Sequence, residues 1–376
     1  MEYRTIEEWC EILDSQRIPI TAKDRVDGPY PYYGANGIQD YVNDYIFDDE
    51  LVLLAEDGGN FGSKDRPIAY RVSGKCWVNN HAHVLKAKNG LDVDYLCYSL
   101  MFYNTNGLVN GATRQKLTQS TMRKMKIPYL EINKQREIVQ KIKKIESVLN
   151  DSNRQLDLLD ELIKARFVEM FGDPVHSEKY GTRKLSSCIA EKSDMVDGPF
   201  GSQVNTKVDY IENGEIPVIR TVNVKMMSFS PTDLKYMTRE KYETVIRSQV
   251  LPGDVILTKV GTIGNVCIFP NAFDEAVLST TGSCRIRVDN SVVNTQFFAY
   301  NLMYLKGKLL EIASAGVQPF LNMNHVKNID ILDVSLEKQK EFADFVKEVD
   351  KSRSRIQKSL EASQELFDSL MQEYFG

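Results

Sequence analysis

The sequence predicts an α+β protein: two similar α+β domains in pseudo-twofold relation, joined by a long antiparallel two-helix coiled coil. Three observations carry that prediction. The chain contains the same ending twice: a shift of 204 residues carries Gln135 onto Gln339 and Phe171-Gly172 onto Phe375-Gly376. Both copies space their apolar residues in heptads. The rest of the chain reads mainly as short strands and turns. The resulting order is domain (1–134), helix (135–172), domain (173–338), helix (339–376), a tandem duplication.

The first helix places Ile138, Ile142, Ile145, Leu149, Leu156, Leu159, Ile163 and Met170 on one seam, interrupted by Ser152 and Arg166. In the second, the same phase gives Phe342, Val346, Val349, Ile356, Leu360, Phe367, Leu370 and Tyr374, interrupted by Arg353 and Ser363. A 3.5-residue apolar period makes two helices supercoil about each other, and neither run is broken by an internal Pro or Gly.

Repetition extends upstream. Leu51–Leu54 shifts by 204 residues onto Val255–Thr258. Each is an apolar strand running into a Gly-rich loop, Asp57–Gly62 and Gly261–Asn265. Val26-Asp27-Gly28-Pro29-Tyr30 resembles Val196-Asp197-Gly198-Pro199-Phe200. A small-residue turn and an amide-rich stretch precede each long helix, at Gly111–Thr118 and Ala315–Asn322. Short apolar runs bounded by Gly, Asn, Asp and Pro predict strands at Ile216–Ile219, Val255–Leu257, Val266–Phe269 and Cys284–Val288. Helical spacing predicts short helices around 92–103 and 295–311.

Composition sets limits. The chain has 376 residues, 42% of them apolar, which suits two ordinary domains with filled cores. Neither a leader-like N-terminus nor an apolar run approaching ~18 residues is present, so neither secretion nor membrane spanning is expected. Cys10, Cys76, Cys97, Cys188, Cys267 and Cys284 stand singly, as reduced thiols of a cytoplasmic protein do. The net charge of −5 argues mildly against a free-standing nucleic-acid binder.

Helices of roughly 36 residues span ~54 Å at 1.5 Å per residue. The connection Gly172–Lys184 is too short to climb back along such a length, so antiparallel packing is the economical topology and the helices act as a spacer. Two similar domains in dyad relation suit duplex DNA, whose grooves recur about every 34 Å. In the first domain the candidate DNA contacts are Asn60, Ser63, Lys64, Arg66, Asn79, Asn80, His81, Arg114, Gln115, Lys116, Thr118 and Gln119. Their counterparts in the second are Arg220, Asn223, Lys225, Lys259, Thr262, Asn265, Gln318, Asn322 and Asn324. Arg, Asn and Gln can bond base edges in pairs, whereas Lys positions phosphates.

These residues carry a resemblance to the specificity subunits of type I restriction–modification systems. Its most specific pieces are Gln135-Arg136-Glu137-Ile138, Ala165-Arg166-Phe167 with Met170-Phe171-Gly172-Asp173-Pro174, and Asp197-Gly198-Pro199-Phe200-Gly201-Ser202. The resemblance implies two target-recognition domains, one per half-site of a bipartite DNA sequence, and no catalysis by this chain. It implies adenine methyltransferase subunits and restriction/translocase subunits as partners, with S-adenosylmethionine, ATP and Mg on those partners and no cofactor on this chain. Partners that embrace the DNA would supply most phosphate neutralisation, so the isolated chain is expected to bind DNA weakly.

Enzymatic alternatives are poorly served. Asp27-Gly28-Pro29-Tyr30 and Asp197-Gly198-Pro199-Phe200 approach the Asp-Pro-Pro-Tyr motif of amino-methyltransferases, but Gly replaces the first Pro and no glycine-rich cofactor motif accompanies them. A turn is the simpler reading. Gly261–Gly264 lacks the Lys-Ser/Thr of a phosphate loop. His81-Ala82-His83 has no carboxylate or cysteine at useful spacing, so no metal site is expected. The competing function is a non-catalytic coiled-coil scaffold whose end domains bind protein or carbohydrate.

Overall fold

A computed structural model describes residues 2–111, 114–176, 179–313 and 319–376. Two compact units divide the chain: Met1–Gln155 with Ile356–Gly376, and Leu156–Arg355. The division falls within both long helices rather than at their starts, as the domain order 1–134, 135–172, 173–338, 339–376 had it. The reason is that each half of each helix is built into the core of a different unit.

The helices run Ile132–Phe171 and Leu336–Phe375. In the second unit Arg166 bonds Glu341 at 2.7 Å and Arg353 bonds Asp160 at 2.5 Å. Position 160 therefore faces 353 while 166 faces 341, which is antiparallel pairing. The two arginines that interrupt the heptads thus carry inter-helix ion pairs. Ile163, Phe167 and Phe171 pack on Phe342, Val346 and Val349 in the core of that unit. In the first unit Ile138, Val139 and Ile142 share a core with Phe367 and Met371, and Ile145, Leu149 and Tyr374 pack against it. Leu156, Leu159, Met170, Ile356, Leu360 and Leu370 are half-buried. Val139, Phe167, Phe171 and Met371 lie outside the strict heptad yet are buried. Where a helix meets its own domain as well as its partner helix, a wider apolar stripe is needed than a two-helix seam requires.

Unit one is built on a six-stranded sheet in the order Cys10–Ile12, Ala82–Ala87, Phe47–Ala55, Ala69–Val78, Tyr30–Gly34, Gly37–Val42. Unit two has two four-stranded sheets. One runs Met195–Asp197, Ser283–Ile286, Val255–Thr258, Val266–Ile268; the other runs Lys235–Met237, Ile216–Ile219, Ala276–Leu278, Gln249–Val250. The difference is one of continuity. Phe47–Ala55 is a single strand, whereas its counterpart stops at Val250 and resumes at Val255. Between them lies Pro252-Gly253, with Gly253 at φ +90°. Proline cannot donate to a ladder, and the left-handed glycine turns the chain, so the sheet divides there.

Burial also corrects the strand alignment. Val52 and Leu54 face the helix-side core of unit one, as Val255 and Leu257 do in unit two. Leu117 N–H donates to the Glu56 carbonyl at 2.7 Å, and Leu321 N–H to the Lys259 carbonyl at 2.9 Å. The strand offset is therefore 203, one less than the helix offset of 204. A one-residue slip would send every side chain to the opposite face.

Both units close with a small two-stranded ladder, Tyr3–Thr5 with Lys126–Pro128 and Thr182–Lys184 with Asp330–Leu332. The short helices predicted around 92–103 and 295–311 are Val93–Met101, Thr295–Tyr304 and Lys306–Ala313. All six cysteines are buried free thiols. Among the described residues no helix is long and apolar enough to cross a membrane.

Candidate nucleic-acid interface

In unit one the loops after the strand Phe47–Ala55, after Ala69–Val78 and before the long helix converge. Gly58 N–H donates to the Gln115 carbonyl at 3.1 Å and Glu56 N–H to the His81 carbonyl at 2.8 Å. Asp57 then binds both His81 (2.7 Å) and Arg114 (2.6 Å), while Glu56 binds Lys116 at 3.0 Å. Three residues expected to face DNA are thus positioned by two carboxylates that were not expected to matter. Lys64, Arg66, Asn80 and Gln115 are exposed, with Asn60 and Ser63 half-buried at the same loop. Ser63 Oγ accepts from Arg66 N–H at 3.0 Å, shaping the turn that presents Lys64.

Unit two repeats the convergence with other side chains. Val260 pairs with Phe320 across the loops, and Met227 N–H donates to the Val266 carbonyl at 2.7 Å. Lys225, Thr262 and Asn324 are exposed here. Gln318 lies outside the described residues, as does the first half of the Ala315–Asn322 stretch.

Several expected contacts instead turn inward. Asn79 is buried, its amide donating to Gln39 at 3.0 Å and its oxygen accepting His81 N–H at 2.8 Å. Thr118 and Asn322 cap the short helices Gln119–Arg123 and Met323–Lys327. Gln119 donates to Asp14 at 2.8 Å. Arg220 pairs with Asp233 at 2.8 Å, and buried Asn223 bonds the Ser230 and Thr232 carbonyls. Buried Lys259 pairs with Asp197. Asn265 bonds the Val224 carbonyl at 2.9 Å and accepts from Lys306 at 2.8 Å. Buried polar groups need partners, and these residues hold the loops that carry the exposed ones.

Asp14, Glu56 and His83 offer ligand atoms within 4.8 Å of one another, so carboxylates do approach His83 from distant parts of the chain. Arg17 already bridges the two carboxylates, at 3.6 Å and 2.7 Å. The cluster is an internal ion network. Burial pushes the Asp14 carboxyl up, but the hydrogen bond and charge of His83, with Gln119 and Val84 N–H, outweigh it and hold the group below the ordinary range.

The Asp-Gly-Pro sequence has a physical reason at each of its two occurrences, which do not occupy equivalent places: the ladder registers put Asp14, not Asp27, where Asp197 stands. A Cβ on Gly28 would strike the Asn43 backbone, and one on Gly198 the Ser279 carbonyl oxygen. Neither glycine has a left-handed backbone. Close approach of main chains, rather than a turn's φ, demands glycine here.

The structure is a duplicated pair of α+β units, each taking in part of both long helices and each bringing loops with basic and amide residues together. The chain matches the family model described as "Type I restriction modification DNA specificity domain" over residues 1–159 and 198–364, and it belongs to that family. It is a type I specificity subunit, not an enzyme. A Haemophilus influenzae protein provisionally described as a type I restriction enzyme specificity subunit is 28% identical over 275 residues, 72% of this chain and 68% of that protein. The type I restriction enzyme MjaVIII specificity subunit of Methanocaldococcus jannaschii is 22% identical over 92% of this chain and 85% of its own. The fold matches the crystal structure of the type I restriction–modification S subunit from M. genitalium with a TM-score of 0.61, at 14% identity, over 100% of this chain and 96% of that one.

Proposed function

We propose that this chain reads a bipartite DNA site, one half-site per unit, and docks methyltransferase and restriction/translocase subunits that carry S-adenosylmethionine, ATP and Mg. The supporting observation is the repeated meeting of loops: in each unit the segment before the long helix joins the loop that follows the central strand. In unit one this gathers Lys64, Arg66, Asn80 and Gln115 as exposed phosphate or base-edge contacts. Asp57 and Glu56 hold Arg114, His81 and Lys116 in place, and a bound strand would compete for Arg114 and Lys116. Lys225, Thr262 and Asn324 are the exposed counterparts in unit two.

Deleting the gene and sequencing the host methylome tests this reading. A two-part methyl-adenine motif should vanish and return on complementation. Retention of every such motif in a host whose system is expressed overturns it.

A further inference from the structure

A cavity of about 330 Å³ opens in unit two where Asp197–Phe200 passes the turn at Thr244–Ser248 and the helix Met323–Lys327. Met195, Pro199, Val245 and Met323 are its apolar lining, and Lys192, Arg247 and Lys327 line it as cations. None of these three is ion-paired among the described residues. The one carboxylate in the lining, Asp197, is already paired with buried Lys259. The cavity therefore carries three uncompensated positive charges. Phe200 stands at its rim, 58% exposed. Gln203 accepts from Phe200 N–H through its oxygen at 3.1 Å, and its NH₂ has no hydrogen-bond acceptor among the described residues.

The duplication supplies an internal control. A shift of 204 residues carries Gln119 and Arg123 onto Met323 and Lys327. Ile12 pairs with Leu85 as Met195 pairs with Ile286, so Asp14 occupies the place of Asp197. In unit one that corner is closed: Gln119 donates to Asp14, Arg123 pairs with Glu7 at 2.9 Å, and Arg17 fills the space between Asp14 and Glu56. In unit two the same corner is open, its amide is replaced by a thioether, and its cation is unpaired. Like charges gathered without an anion repel each other and add nothing to the fold, whereas they suit a polyanionic ligand.

We infer that this cavity is a nucleotide-phosphate site, in which Lys192, Arg247 and Lys327 hold the phosphate and Phe200 packs on the adjoining sugar or base. The chemistry is that of single-strand grooves, where cations track phosphates and an aromatic face meets the base. The inference rests on the DNA-reading function for its natural source, a phosphate of the bound strand, and a free nucleotide shares the same chemistry.

The full-length chain, unmodified and as Arg247→Gln/Lys327→Gln, is titrated with a duplex carrying the motif found by methylome sequencing, at several salt concentrations. Separate titrations use ATP and inorganic phosphate. The double variant should bind the duplex about tenfold more weakly, and the slope of log affinity against log salt should fall by about two, near one per lost phosphate contact. Arg247→Lys/Lys327→Arg should keep the slope. A free-nucleotide site shows instead as ATP binding that the double variant loses, with the duplex slope unchanged. Unchanged duplex slope together with unchanged or absent ATP binding overturns the inference. An unmodified chain that does not prefer the motif duplex overturns the DNA-reading function, and the ATP arm still decides the cavity.

Discussion

The side-chain oxygen of Gln339 accepts the backbone N–H of Asn294 at 2.7 Å, and Gln135 does the same for Asp92 at 2.8 Å. Each glutamine sits in the first turn of a long helix and grips the cap of the short helix in its own unit. The amide nitrogens donate to the carbonyls of Val334 (2.7 Å) and Leu130 (2.7 Å). Both glutamines are buried. Gln339→Ala leaves an N–H and a carbonyl without their partner, so it should cost about 1–3 kcal/mol. Urea unfolding measures it, and an unchanged midpoint would show that water replaces the amide.

Gly198→Ala should be far more damaging than its chemistry suggests, because the added methyl meets the Ser279 carbonyl oxygen. Backbone must move, at about 1–3 kcal/mol or more. Gly201→Ala, three residues on and facing open space, serves as the matched control and should be near neutral. Equal thermal shifts for the two would contradict the close-approach account.

Phe167 meets Phe171, Phe297, Tyr304 and Phe342, with ring centroids 4.8–5.9 Å away. Phe167→Ala should cost about 3–5 kcal/mol by opening a cavity in that cluster. Leu158→Ala, on the exposed side of the same helix, should change stability by about 0.5 kcal/mol or less. Thermal denaturation of the two variants decides whether the helix stripe is as wide as the fold describes.

Acid should weaken unit one through Asp14. Its folded carboxyl lies below its ordinary value of 3.8, so the stability it contributes is present above that value and is lost as pH falls through the lower folded value. Asp14→Asn should lower stability at neutral pH and flatten the decline below about pH 5. Urea midpoints measured across that range test this; parallel curves for variant and parent would remove Asp14 from the acid response.

Much of the frame is legible in the residues themselves. Heptad spacing marks both helices because a coiled-coil seam has a fixed period, and the offset between Gln135 and Gln339 holds from Thr118 and Asn322 onward. The strand offset slips by one because Leu51–Leu54 is apolar throughout, leaving no alternation to mark its face. The candidate interface is less legible for a different reason. Gln119 is claimed by Asp14 across 105 residues, and Asn265 by Lys306 across 41. Whether an amide reads a base or fastens a loop depends on such distant partners. Glu56 and Asp57 carry the charge that phosphate repels, yet they hold Lys116 and Arg114, cations that attract it.

Among the described residues the side chains of Gln135 and Gln339 hydrogen-bond only to main-chain atoms: an N–H, the Leu130 or Val334 carbonyl and, for Gln135, that of Gly90. A mount of this kind takes no notice of which side chains the mounted unit carries. Reading surfaces can then be exchanged like cartridges on an unchanged holder, so long as the backbone offers the same two or three atoms at the joint. Variation in what is read and constancy in how it is held become independent, and selection can act on one without disturbing the other.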